Sequence, residues 1–578
     1  VVGPEILHVL AERRGAIAGL GVLLAAVCGW FAARRVDRLV ARPWSTRLGD
    51  GARAALLAAL AFGAAALSAW YRPPLPAVHD EASYLLAADT FARGRLTNPS
   101  PPSPAHFETF HVVVEPTYQS KYPPAQGLVL ALGQVLFGHP LAGVWLGAAA
   151  CAAAMAYALR ALVGPGVATV FGLLAAARFA STGYWAQSYW GGAVAAAAGA
   201  LVVGGALRIV RAPRSGAVGV TGAACALGVG SGVLALTRPY EGLVLAAVAH
   251  VLVAVALLRA RGTRPAPELA QAALAWLAPL VLALGFLAGY NRAVTGDVAT
   301  LPYVLHEERY AAAPNFLVQE PIERPRYRHP EFERLWAGWV LAEYERRRES
   351  TWVAVAGEKL AVLGPFFVGW VWLPFFLVGC LVRAGAGSRA FVAAGFLALL
   401  VETFDSPHYA APFTAAVVLV CAGGAATLLA AADVRVRAAT ALALGAALCA
   451  TLAEAVVEVH AWRPSWPAQR AALVGELEAL PGEDVVFVAT DHTGLSDRDR
   501  RTWENIDWVV NGAAPLEQPV VFVRDLGPEA NAALLRALPA RRAWRIVLPG
   551  GLASGRAFDG LEPVPGDVSG PTSAQSAR

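Results

Sequence analysis

The sequence predicts a mainly α-helical protein: a polytopic transmembrane bundle of about twelve spans with a small α/β domain at its C-terminal end. Three observations predict it. Of 578 residues, 57% are hydrophobic and only 15% charged, against about 25% charged in soluble domains. The apolar residues come in blocks long enough to cross a hydrocarbon core of roughly 30 Å. Basic residues then recur in every second loop, as the positive-inside rule requires.

The apolar blocks lie near 15–33, 52–71, 139–162, 166–183, 189–207, 216–237, 242–258, 268–290, 357–382, 388–404, 410–431 and 438–458. Alanine and glycine dominate them, and small residues let membrane helices approach closely. Arg34, Arg35, Arg38, Arg42 and Arg47 separate the first two blocks; Arg208, Arg211 and Arg214 follow the fifth. Arg259, Arg261 and Arg264, then Arg383 and Arg389, then Arg435 and Arg437 continue the alternation without a slip. These loops are expected to be cytoplasmic, in a multi-pass protein of the inner (plasma) membrane.

The opposite, extracytoplasmic face receives two long loops, 72–138 and 291–356, and the chain from 459. Within that last segment Val485–Thr490, Pro519–Val523 and Trp544–Leu548 read as short strands. Pro528–Leu538 reads as a helix with proline in its first turn. The chain thus divides into 1–51, an N-terminal helix and basic loop; 52–458, the membrane domain; 459–564, the outer α/β domain; and 565–578, a polar tail expected to be disordered.

Composition also excludes classes. The net charge of +5 is modest and its arginines sit at helix ends, so nucleic acid is not an expected partner. Cys28, Cys151, Cys225, Cys380, Cys421 and Cys449 all lie in apolar blocks without paired spacing, as expected of small packing residues rather than disulfides or metal ligands.

The sharpest local signal is His79-Asp80-Glu81-Ala82-Ser83-Tyr84, a few residues beyond the second span. A carboxylate at the membrane surface can take a proton from an attacking hydroxyl. Alternatively, Asp80 and Glu81 are an ordinary helix start, favoured by the helix dipole. Tyr118-Gln119-Ser120-Lys121-Tyr122-Pro123-Pro124 follows. Lys121 is one of only two lysines, with Lys359, and an interfacial lysine can hold a phosphate as a point charge; the plainer alternative is snorkelling. Tyr84 and Tyr122, beside these groups, are candidates for substrate contact.

These motifs, with an amphipathic loop between them and an apolar helix after them, resemble the GT-C glycosyltransferases, such as protein O-mannosyltransferases and the aminoarabinose transferases that modify lipid A. The resemblance covers roughly residues 52–290 and the hydropathy layout beyond. It implies a GT-C-like catalytic domain that moves a sugar, with inversion, from a polyprenyl-phosphate carrier to an envelope glycan, lipid or protein. Asp80 or Glu81 would be the catalytic carboxylate and Lys121 the donor-phosphate contact. This chain departs from the family in having an additional span before the acidic pair.

Other candidates share that face. His106, Glu108 and His111 could gather a metal, which leaves room for a divalent cation, although the flanking Val112–Val114 looks extended and favours a polar loop packed over a cavity. Arg178, within the fourth span, and Arg238, in a tight turn with Tyr240 and Glu241, could hold the donor phosphate. Gln187, Tyr189, His408 and Tyr409 lie at helix ends and could touch sugar; an aromatic belt and a helix cap are the plainer readings. A transporter or flippase of a lipid-linked substrate, or an envelope scaffold, are the alternatives. The first would place its charges at mid-membrane, and the second needs no acidic pair.

Overall fold

The computed structural model describes residues 4–33, 48–179, 185–212, 218–259, 265–382, 386–460, 466–491, 507–548 and 560–564. The basic loop from Arg34 to Arg47, Arg214, Arg261, Arg264, Arg383 and the tail from 565 lie outside the described residues.

The helices, in order, are α1 (Pro4–Phe31), α2 (Asp50–Tyr71), α3 (His79–Ala92), α4 (Pro124–Phe137), α5 (Leu141–Leu159), α6 (Pro165–Phe179), α7 (Ala193–Arg211), α8 (Val218–Ala235), α9 (Pro239–Arg259), α10 (Ala266–Thr295), α11 (Pro302–Tyr310), α12 (Trp352–Phe367), α13 (Gly369–Leu381), α14 (Ala386–Leu400), α15 (Thr414–Leu429), α16 (Val434–His460), α17 (Trp466–Glu478) and α18 (Pro528–Ala537). Among the described residues, seven helices are long and apolar enough to cross a membrane, or eight if α12 and α13, bent by 102° at their junction, count as one span. The expected twelve is not reached. The expected blocks 15–33, 166–183, 216–237 and 388–404 are represented among the described residues by the shorter apolar helices Gly15–Phe31, Pro165–Phe179, Val220–Ala235 and Gly387–Leu400. The sequence pattern records apolarity, and a short apolar helix buried among other helices has the same composition as a span.

The segment assigned to the first long loop carries two long helices, α3 and α4. Pro124–Phe137 forms α4, with Pro123 and Pro124 fixing its first turn. It then packs on α5 so closely that a Cβ on Gly133 would lie 2.0 Å from the Gly143 amide nitrogen. Glycine at 133 is therefore required by backbone approach. This crossing anchors the chain directly after Lys121 and Tyr122.

Between α3 and α4 lies a small antiparallel sheet, β1 (Asn98–Pro99), β2 (Val112–Val113) and β3 (Thr117–Ser120), in the order β1-β3-β2. Val112 pairs with Ser120 and Val113 with Gln119. The amide of Lys121 donates to the His111 carbonyl at 3.0 Å. The Ser83 hydroxyl, one turn into α3, donates to the same carbonyl at 2.7 Å and meets the Ser120 hydroxyl at 2.7 Å. The sheet and α3 thus fix three sequence-distant residues, Asp80, His111 and Lys121, around one point.

The C-terminal domain is a mixed sheet ordered β5-β4-β6-β7, with β4 (Glu483–Thr490), β5 (Val520–Arg524), β6 (Arg541–Leu548) and β7 (Glu562–Pro563). β4 is parallel to both neighbours, and only β7 runs antiparallel. Both faces of β4 are buried, which explains its continuous apolar run. Val486 and Val488 face Leu473, Leu477 and Trp508. Val485 and Phe487 face Leu534, Leu538 and Phe107, a residue of the first long loop. Phe107 is fully buried there, so the domain and the loop share a core.

Candidate active site

Asp80 and Glu81 are neighbours in the first turn of α3 with opposite surroundings. Glu81 turns back on the chain. Its Oε2 accepts from the amides of Ala77 at 2.7 Å and Val78 at 3.2 Å, and its Oε1 from the amide of Tyr189 at 2.9 Å. All its strong acceptor directions meet backbone, so it ties the start of α3 to the segment before α7. Burial raises its carboxyl despite these bonds. Of the two carboxylates, only Glu81 has three backbone amides as hydrogen-bond donors.

Asp80 points into a chamber of polar side chains. Its Oδ1 accepts from the Tyr122 hydroxyl; its Oδ2 lies 3.2 Å from His79 Nδ1 and 3.8 Å from His111 Nε2. Burial alone would raise the Asp80 carboxyl. His111, then His79 and Tyr122, reverse that and hold it well below the usual carboxylate range. Burial and the Asp80 charge push the Tyr122 phenol well above its ordinary value, so it stays a donor. His111 adopts φ 61°, a left-handed conformation that costs a non-glycine residue about 1–3 kcal/mol. That turn aims its ring at Asp80.

Lys121 is almost fully buried on the other side of His111. Its Nζ donates to Glu307 Oε1 at 2.9 Å and lies over the rings of Tyr303 at 4.7 Å and Trp336 at 4.9 Å. Burial and Lys121 together hold the His111 imidazole well below its ordinary value. Burial opposes ionisation of Glu307, but Lys121 and His306 outweigh it and bring that carboxyl down to about 2. His306 falls to about 4, chiefly through burial.

A second group adjoins the first. Tyr84 stacks on Tyr122 with centroids 4.6 Å apart. The Arg238 guanidinium lies 4.9 Å from the Tyr409 ring and 3.9 Å from Glu241, and His408 packs on Trp190 at 4.6 Å. Asp80 and Arg238 both act electrostatically on Tyr84, His408 and Tyr409, so the two groups are neighbours. Glu402 belongs to the second group as well. Burial and Glu241 push its carboxyl well above the usual range, and its Oε1 has no hydrogen-bond partner.

Three imidazole nitrogens here are buried without a hydrogen bond or an ion-pair partner: Nε2 of His79, Nδ1 of His111 and Nε2 of His306. Buried polar atoms are normally paired, so this concentration marks a place for something besides protein. One ligand atom each from His79, Asp80 and His111 lies within 4.8 Å of the others. Two imidazoles and a carboxylate suit zinc or a similar dication, so these residues fit one.

Other sequence candidates lie elsewhere. Arg178 is engaged at the α12–α13 bend, where its guanidinium donates to the Phe366 carbonyl at 2.8 Å and to that of Pro365. Proline inside α12 and the bend leave carbonyls without helical partners, and Arg178 supplies donors there rather than at Asp80. Gln187 donates to the Ala65 carbonyl at 3.3 Å, and Tyr240 to that of Ala398 at 3.2 Å. Tyr189 contributes its amide to Glu81, and its hydroxyl donates to the Pro74 carbonyl at 3.4 Å.

The proposed His106, Glu108 and His111 triplet is split three ways. His106 meets Ser103 and Asn531. Glu108 pairs with His329 at 2.6 Å and accepts from Tyr310 at 3.1 Å. Only His111 reaches Asp80, because Val112 enters the strand and reverses the chain direction. The sequence reading missed His79 as a ligand, and His306, Glu307, Trp336 and Glu402 altogether. His79 was readable as the neighbour of Asp80; the others come from the second long loop and beyond, where only the fold creates the contact.

No family profile and no curated protein matches the chain. Among solved structures, ArnT from Cupriavidus metallidurans, bound to undecaprenyl phosphate, is similar at 15% identity and a TM-score of 0.46, over 86% of this chain and 93% of that one. The Archaeoglobus fulgidus oligosaccharyltransferase with zinc and sulfate is similar at 13% identity and a TM-score of 0.44, over 84% of this chain and 67% of that one. The archaeal oligosaccharyltransferase AglB, with an inhibitory peptide and a dolichol-phosphate, gives 12% and 0.38, over 85% of this chain and 69% of that one.

Proposed function

We propose that this protein is an inverting membrane glycosyltransferase that moves a sugar from a polyprenyl-phosphate carrier to an envelope acceptor at the extracytoplasmic face. The observation that carries the reading is the Asp80 chamber. It holds an ionised, largely enclosed carboxylate, three imidazole nitrogens without partners and the cations Lys121 and Arg238. An acceptor hydroxyl in that space attacks the anomeric carbon. Its oxygen bonds to that carbon, the carbon–phosphate oxygen bond breaks, and the electron pair leaves on polyprenyl phosphate. The hydroxyl proton passes to Asp80.

Asp80 is a weak base because its partners hold it low. Its contribution is therefore to orient the hydroxyl and accept the proton late, once the oxygen–carbon bond has formed. Tyr122 and the two imidazoles keep it ionised and aimed. Arg238, on the adjoining side, offsets charge on the leaving phosphate. Lys121 does the same only by exchanging Glu307 for phosphate. A cation held by His79, Asp80 and His111 would supply Lewis-acid stabilisation of that phosphate.

The test is transfer by purified protein in lipid nanodiscs, using radiolabelled polyprenyl-phosphate sugars and crude envelope acceptors. Label leaving the carrier and appearing on an acceptor supports the reading. Well-folded protein that binds no donor in the panel would defeat it.

A further inference from the structure

An open cleft of about 300 Å³ lies apart from the Asp80 chamber, lined by residues of the two long loops only. Three arginines face it, Arg309, Arg326 and Arg328, with aromatic walls from Tyr310, Tyr327 and Phe332. The arginines are incompletely neutralised. Arg309 reaches Glu115 only at 3.9 Å, and Arg328 reaches Glu108 at 3.3 Å while remaining 56% exposed. Arg326 has no acidic partner among the described residues. The floor is rigid: Glu108 is held between His329 and Tyr310, and its carbonyl accepts from Arg524 at 2.9 Å.

The cleft backs onto the chamber through one layer of rings. Tyr310 packs on His306 at 4.8 Å, and His306 faces His111 at 6.0 Å. Phe332 packs on Phe110 at 4.9 Å, and Phe110 on His79 at 5.1 Å. No residue of a long apolar helix lines it, so it offers no surface to an isoprenoid chain. Guanidiniums fork onto phosphate or carboxylate oxygens, and aromatic walls suit the apolar faces of sugar rings.

We propose that this cleft is an acceptor subsite that binds an anionic group, phosphate or carboxylate, carried on a saccharide away from the hydroxyl that is glycosylated. The assignment of the saccharide as acceptor rests on the glycosyl-transfer reading; the anion specificity of the cleft does not.

The experiment is calorimetric titration of the full chain in zwitterionic nanodiscs with a 6-phosphotrimannoside, a trigalacturonate, the neutral trimannoside and inorganic phosphate. Labelled-donor binding is measured on the same samples. The anionic saccharides are expected to bind at least about tenfold tighter than the neutral one or phosphate alone. The exposed pair Arg326→Gln and Arg328→Gln together is expected to remove that preference and leave donor binding unchanged. Equal binding of charged and neutral saccharides, no binding of either anionic one, or an unaltered preference in the double variant would overturn the cleft. So would phosphate binding as tightly as the saccharides, or competition by phosphatidylglycerol nanodiscs, which would assign a bare anion or a lipid headgroup. Failure of donor binding in both proteins would instead count against glycosyl transfer.

Discussion

The Asp80 chamber and the contact between the C-terminal domain and the first long loop are both buried and both charged, yet they are built on opposite principles. At the contact Asp507 is fully engaged. Asp507 Oδ2 accepts from Arg524 at 2.6 Å, the Thr109 hydroxyl at 2.8 Å and the Phe110 amide at 3.4 Å, and its Oδ1 accepts from the Val509 amide at 3.0 Å. In the chamber, imidazole nitrogens of three histidines have no partner. A buried polar group without a partner is costly, so complete pairing reads as scaffold and incomplete pairing as a place kept for ligand. The two regions are also linked. Asp507 and Arg524 hold residues 108–110, immediately before His111, and so position the ring that faces Asp80.

The contrast can be broken most easily at the contact. Asp507→Ala leaves the buried Arg524 charge without its partner, and is expected to destabilise the protein by about 3–5 kcal/mol. Thermal or denaturant unfolding in nanodiscs measures it, and a change below about 1 kcal/mol would mean that the pair is not scaffold. Glu81→Ala tests the same principle within α3. It removes the acceptor for three backbone amides, and about 1–3 kcal/mol of stability should go with it.

Two arginines sharpen the comparison. Arg238→Gln should lower kcat/KM for the donor about tenfold, the effect of roughly 1.4 kcal/mol of lost charge stabilisation. Arg178→Gln should leave kcat/KM within about twofold and lower the melting temperature instead, because its partners are the carbonyls at the α12–α13 bend. Equal kinetic effects of the two would erase the distinction.

The smallest effect is on pH. His306 is held neutral, down to about 4 from an ordinary 6.5, so the unfolded chain binds the proton more readily. Its contribution to stability is whole above pH 6.5 and is lost as pH falls toward 4. Glu307, depressed to about 2 from 4.5, contributes above pH 4.5 and loses that contribution as pH falls toward 2. Melting temperatures followed downward from pH 7 should therefore begin to fall near 6.5, and His306→Asn should blunt the first part of the fall.

The helical character and the C-terminal sheet were legible because periodicity and apolar runs are local. β4, β5, β6 and α18 lie within a few residues of where the sequence put them. The span count was not legible in the same way, since four of the expected blocks correspond, among the described residues, to apolar helices shorter than a span. At the site, Asp80, Lys121 and Tyr122 were legible as chemistry placed beside a membrane helix. The different surroundings of Asp80 and Glu81 were not, because they depend on the Tyr189 amide arriving from 108 residues away. Arg178 was legible as a charge in an apolar segment, but its partners were not: they are the carbonyls of Pro365 and Phe366 at the α12–α13 bend, more than 180 residues away in sequence.

The most direct test of the central claim compares wild type with Asp80→Asn, each in nanodiscs with the same labelled polyprenyl-phosphate sugar. Asparagine keeps the size and can still meet Tyr122, but loses the charge and the ability to accept a proton. Donor binding within about twofold of wild type and transfer reduced at least about 100-fold are expected. Transfer by Asp80→Asn at the wild-type rate would contradict the claim.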